Sequence, residues 1–160
     1  MTSVVNLEDL GGFLLAANEA GYAGGDAKLW AKEQDGSTTI SFESGDWRSH
    51  DSFFGGEPYG GRTVVSFRSA PVWVMVYYGA VVQDRDANDV YDFLRRALRE
   101  MPPEAPLRGP REFSLGGLVY TNSWDGEVAA FVGREAISQG TREIYQAPYA
   151  GGLVDQRRAV

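Results

Sequence analysis

Cysteine is absent from the 160 residues, and histidine occurs once. Those two shortages remove disulfides, thiolate nucleophiles, Cys-ligated zinc or iron–sulfur sites and nitrogen-rich metal sites. No metal ion and no cofactor is expected. Basic residues are also scarce, 15 Lys and Arg against 22 Asp and Glu, for a net charge of −7. A field of that sign repels nucleic acid and anionic lipid. No apolar run approaches the roughly 18 residues of a membrane span. The N-terminal Met-Thr-Ser-Val-Val-Asn-Leu-Glu-Asp-Leu has no basic segment ahead of an apolar stretch, as an export signal would. Together these absences predict a soluble, cytoplasmic protein with neither nucleic acid nor membrane as a partner.

Catalytic signatures are missing as well. Glycine pairs at Gly55-Gly56 and Gly60-Gly61 lack the lysine of a phosphate loop and do not open a helix as a dinucleotide fingerprint does. There is no Gly-x-Ser-x-Gly, so a nucleophile elbow is excluded.

The 43% hydrophobic and 12% aromatic content suits one globular domain over residues 1–160, long enough to bury a core. Asn6 can cap a helix over about 7–20, whose apolar Leu7, Leu10, Leu14 and Ala17 recur at helical spacing, with Gly21 as a left-handed stop. Strands follow at Lys28–Glu33, Ser37–Glu43, Trp47–Phe54, Arg62–Phe67 and Val72–Tyr78, on β-branched and aromatic content and turn residues between them. A second helix over Asn88–Met101 carries Val90, Phe93, Leu94, Ala97, Leu98 and Met101 on one face, and Pro102-Pro103 ends it. Pro102–Pro110 holds four of the seven prolines and reads as an extended, rigid connector. Leu118–Trp124, Arg134–Ser138 and Thr141–Gln146 are further strands, with Asp155–Val160 a frayed tail. The fold class is therefore α+β, a mainly antiparallel sheet with two helices.

The chain also matches itself. Asp51-Ser52-Phe53-Phe54-Gly55 resembles Asn122-Ser123-Trp124-Asp125-Gly126, and Gly61-Arg62 and Tyr77–Val82 find partners at Gly133-Arg134 and Tyr149–Val154, 71 or 72 residues on. Duplication of a helix-plus-sheet module, 7–83 and 88–154, is one reading, and chance in a glycine-rich chain is the other. If duplication holds, a central cleft is expected where the loops of Asp51 and Asn122 face each other.

Tyr22-Ala23-Gly24-Gly25, Asp51–Gly56, Pro71–Gly79, Arg108-Gly109-Pro110 and Tyr120–Trp124 resemble a bacterial domain family of unknown function. Its members occur alone or behind helix-turn-helix regulators of the xenobiotic-response-element type. The resemblance covers about 10–155 and implies a ligand-sensing module, but no reaction. Tyr149-Ala150-Gly151-Gly152 stands where members often carry aromatic-His-Gly-Gly, which removes any role for a second histidine.

Chemistry concentrates in Gly45–Gly61, which holds the single histidine. His50 beside Asp51 suggests a base and its orienting acid, yet neighbours on a straight strand point to opposite faces. The candidate acid–base residues are His50, Asp51 and Glu57; the candidate ligand-binding residues are Arg48, Phe53, Tyr59, Tyr78, Arg108, Asn122 and Trp124. Each has a structural alternative: Arg48 can neutralise Asp46 or Glu57, Asp51 and Asn122 can cap turns, and strand aromatics are mostly core. Two functions follow: binding of a small, partly aromatic molecule, or a cofactor-free isomerase, cyclase or hydrolase. Assembly into a homo-oligomer through the apolar strands stays open.

Overall fold

A computed structural model describes residues 5–21 and 29–157. The Tyr22–Gly25 motif, Lys28 at the start of the first expected strand and the tail beyond 157 lie outside the described residues.

The first helix, α1 (Leu7–Ala20), has the expected bounds because its start is fixed locally. Asn6 Oδ1 accepts the backbone N–H groups of Glu8 and Asp9 at 2.9 and 3.0 Å, satisfying donors that have no partner within the helix. Gly21 ends α1 at φ −97°, not in the left-handed region expected. The glycine serves packing instead, because a Cβ there would lie 3.1 Å from an Ile40 methyl.

The strands are β1 (Trp30–Lys32), β2 (Thr38–Ser44), β3 (Trp47–Phe54), β4 (Tyr59–Phe67) and β5 (Ala70–Val81). After α2 (Ala87–Leu98) come β6 (Glu112–Leu115), β7 (Leu118–Glu127), β8 (Ala130–Gln139) and β9 (Arg142–Leu153). All pair antiparallel in one nine-stranded sheet of order β1-β2-β3-β4-β5-β9-β8-β7-β6. The protein is thus α+β and mainly sheet. β5 and β9 run well past the expected ends at Tyr78 and Gln146, and β6 was not foreseen.

Odd-numbered residues from Trp73 to Val81 of β5 and from Tyr145 to Tyr149 of β9 face inward. Val76 and Tyr78 of β5 and Val132 of β8 are more than half exposed on the other side. Both helices cover the inward face. Leu10, Phe13 and Leu14 of α1 pack on Val65, Trp73, Met75, Phe131 and Tyr149. Val90, Phe93, Leu94, Ala97 and Leu98 of α2 pack on Tyr120, Ile137, Tyr145 and Ala147. The C-terminal ends of the helices meet where Asn18 Nδ2 donates to the Leu98 carbonyl at 2.8 Å, a group that the end of α2 leaves without an intrahelical donor.

The connector is not extended. It turns tightly, with Ala105 N–H donating to the Pro102 carbonyl at 3.1 Å and Leu107 N–H to the Ala105 carbonyl at 2.8 Å, and it buries Leu107 and Arg108.

Candidate functional site

A hollow of about 490 Å³ lies between the sheet face of β2–β5 and the two helices. Its walls are mostly apolar or aromatic, including Leu14, Ile40, Trp30, Phe53, Met75 and Leu98. The alternation of β3 decides which side chains reach it. Ser49, Asp51 and Phe53 line it, whereas Arg48 and His50 do not. The His50–Asp51 dyad therefore does not form: His50 pairs across strands with Ser41 and Val64, on the face opposite to Asp51.

Asp51 sits on the floor. Its Oδ1 accepts the Tyr77 hydroxyl at 2.5 Å and the Thr63 hydroxyl at 3.0 Å, and Thr63 is its cross-strand partner on β4. Oδ2 takes no hydrogen bond from the described residues. Burial pushes the Asp51 carboxyl above its ordinary value of 3.8, because desolvation penalises the charged form more than the two hydroxyls and the fields of Arg108 and His50 favour it.

This shift has a stability consequence with a definite sign. A folded-state pKa above the unfolded one adds stability below the unfolded value and loses it as pH rises through the folded value. Asp51→Asn retains an oxygen for Tyr77 and Thr63 and carries no charge. Thermal melts should show the variant above the wild type at pH 7, with the gap closing as pH falls below 3.8; a gap that widens in acid would contradict the assignment.

Glu57, in the turn between β3 and β4, is fixed by two donors. The backbone N–H of Val81 reaches Oε1 at 2.7 Å, and the Tyr91 hydroxyl donates to Oε2. Tyr59 forms part of the wall, its hydroxyl 2.5 Å from that of Tyr145. Phe53 meets Trp30 edge-on at 5.8 Å. The indole N–H of Trp30 is buried without a hydrogen-bond partner among the described residues.

Arg108 enters from the connector. Its Nε lies 2.7 Å from Oε1 of fully buried Glu135, whose Oε2 accepts the Tyr120 hydroxyl at 2.6 Å. Its guanidinium also stands 5.7 Å from the centre of the Tyr77 ring. The tyrosines around this pair lose acidity: burial and the Glu135 charge push Tyr120 and Tyr145 well up, and Tyr149 to about 12.

Of the expected site residues, Asp51, Phe53, Glu57, Tyr59 and Arg108 converge here. Arg48 is exposed and pairs with Glu43 at 3.5 Å, not with Asp46 or Glu57; Asp46 pairs with Arg68. Tyr78 is 56% exposed on the outer face. Asn122 and Trp124 lie on β7, five strand spacings from β3, and line no part of the hollow. Neither Asp51 nor Asn122 caps a turn: both sit within strands. Asn122 accepts the Tyr149 hydroxyl at 2.7 Å and donates to the Gly109 carbonyl at 2.9 Å. Trp124 carries the Arg111 guanidinium 3.9 Å from its ring centre. The hollow lies over β2–β5 and not between Asp51 and Asn122, because the turned connector packs against β7 and β8 through Gly109 and Arg108.

Thr63, Tyr91 and Glu135 were not anticipated. Thr63 had a signal, since pairing β3 with β4 puts its hydroxyl beside Asp51. Among the described residues no group of three or more His, Asp or Glu is arranged to hold a metal ion, and no helix is long and apolar enough to cross a membrane.

A family model described as a domain of unknown function, DUF5680, matches residues 51–154. No curated protein and no solved structure matches the chain.

Proposed function

We propose, from the premise that the chain belongs to the DUF5680 family of domains of unknown function, that this protein binds a small, largely apolar or aromatic molecule. The observation that carries this reading is the aromatic-walled hollow with one carboxyl on its floor, because pockets of about 300–1,000 Å³ with a few placed polar groups are the usual form of a small-molecule site. The resemblance to domains that stand behind bacterial DNA-binding regulators supports a sensing role within the same reading.

The halves 7–83 and 88–154 are read as copies of one helix-plus-meander module. Ala70 and Arg142 begin β5 and β9, and Val81 and Leu153 end them, 72 residues apart in both cases. The register shifts at Val65/Ser66 and Ile137/Ser138 keep that spacing. Tyr77 pairs with its own counterpart Tyr149, as a pseudo-twofold axis at the β5–β9 junction would require. The ring pairs Tyr59–Tyr77 and Phe131–Tyr149 correspond, each at 6.0 Å. So do the bonds Tyr77–Asp51 and Tyr149–Asn122.

Calorimetry and thermal shift with indole, naphthalene and quinoline test the binding reading. At least one probe should bind the wild type, and Ala17→Trp, which adds a ring on the cavity side of α1, should weaken it by about tenfold or more while the fold is kept. Equal affinity in Ala17→Trp would move the site elsewhere. A second reading, cofactor-free acid–base catalysis, is favoured by the raised carboxyl of Asp51. His50 faces away and Glu57 is held by two donors, so Asp51 would carry it alone.

A further inference from the structure

Among the described residues four charged side chains line the hollow, and three have partners that account for their charge or their oxygens. Arg95 pairs with Asp92 at 2.9 Å and Arg108 with Glu135 at 2.7 Å. Glu57 spends both oxygens on Val81 and Tyr91. Asp51 differs: both its donors fall on Oδ1, and Oδ2 takes none from the described residues.

The counterpart position shows how little of this the fold requires. Asn122 accepts the Tyr149 hydroxyl just as Asp51 accepts that of Tyr77, and its amide finds the Gly109 carbonyl. An amide at position 51 would serve Tyr77 and Thr63 equally and would avoid the cost of burying a carboxylate. A carboxyl there is explained by what enters the hollow.

Resting on the binding reading above, we propose that Asp51 is the counter-ion for a cationic nitrogen. The ligand is then a protonated amine on an apolar or aromatic body, its N–H donating to Asp51 Oδ2. The lining rings, Trp30, Phe53, Tyr59 and Tyr77, attract an ammonium that lies over a ring face. Among the described residues, the other charged or titratable groups around Asp51 are Tyr59 and Tyr77 from β4 and β5, Glu57 from the turn, Tyr91 and Arg95 from α2, Arg108 from the connector and His50 on the reverse of its own strand. α1 contributes only uncharged Leu14, Ala17 and Asn18. Arg95 and Arg108 are the lining cations that oppose the amine, and Asp92 and Glu135 balance their charge.

Calorimetry at pH 7 with three probes of similar shape decides the matter: tryptamine (cation), 3-ethylindole (neutral) and indole-3-propionate (anion). Tryptamine should bind the wild type about tenfold or more tightly than 3-ethylindole. Asp51→Asn should abolish that preference, lowering the affinity for tryptamine far more than that for 3-ethylindole. Binding of 3-ethylindole with no preference for tryptamine, a preference that survives Asp51→Asn, or tighter binding of indole-3-propionate overturns the counter-ion role but leaves the cavity as a binding site. Binding by none of the three overturns both.

Discussion

Replacing Glu135 with alanine is expected to lower folding stability by about 3–5 kcal/mol, the usual cost of removing one partner of a buried ion pair. Glu135 is completely buried on β8 and accepts from both Arg108 and Tyr120. Without it, Arg108, a residue only 8% exposed, loses the carboxylate that balances its charge, and the Tyr120 hydroxyl loses its acceptor. The pair itself is a weaker source of stability than this loss suggests, since well-packed apolar residues often replace such pairs at little cost. The double variant Arg108→Met/Glu135→Leu should therefore be less destabilised than Glu135→Ala alone. Urea midpoints of the three proteins check this, and a loss of under about 1 kcal/mol for Glu135→Ala would mean that the site relaxes or hydrates.

Trp73→Ala is expected to cost about 3–5 kcal/mol, as for other large-to-small changes of buried aromatics. Trp73 is 1% exposed and stacks on Phe131 at 5.7 Å. Its indole N–H donates to the Val128 carbonyl at 2.8 Å. Because Trp73 also borders the hollow, the space left behind joins an existing cavity and cannot be filled by a small collapse. Denaturant unfolding would give the loss, and a cost near that of a surface substitution would show that the core does not depend on this side chain.

Both residues show where the sequence stops being informative. Trp73 was legible as a core residue from the apolar run around it. Glu135 was not, because a charged residue within an expected strand looks solvated until its partner is known, and that partner is 27 residues away on a connector. The ends of β5 and β9 were misread for a related reason. Gly79 looks like a break, but a Cβ there would sit 2.6 Å from the Tyr59 ring; it is glycine because a ring crosses it, and β5 continues. Pro148 looks like the break in β9, but that strand runs on to Leu153, and a Cβ at Gly151 would sit 2.1 Å from the Val74 carbonyl oxygen of β5. β6 has four residues and no clear alternation; it exists because β7 offers it an edge. The second helix ends at Leu98, short of Met101, since a residue before proline is poorly suited to helical backbone.

What the sequence by itself determined is local: the Asn6 helix start, the amphipathic face of α2, the period-two strands and the opposed directions of His50 and Asp51. Each depends on neighbours a few residues apart, whose geometry is fixed by backbone stereochemistry. Only the tertiary structure decided that Asp51 meets Tyr77, that Arg108 is neutralised by Glu135, and that the hollow opens over β2–β5 while Asn122 and Trp124 are packed elsewhere. Those outcomes depend on strand order and on the course of the connector, and the free energy that selects them comes from burial and charge pairing between residues far apart in the chain.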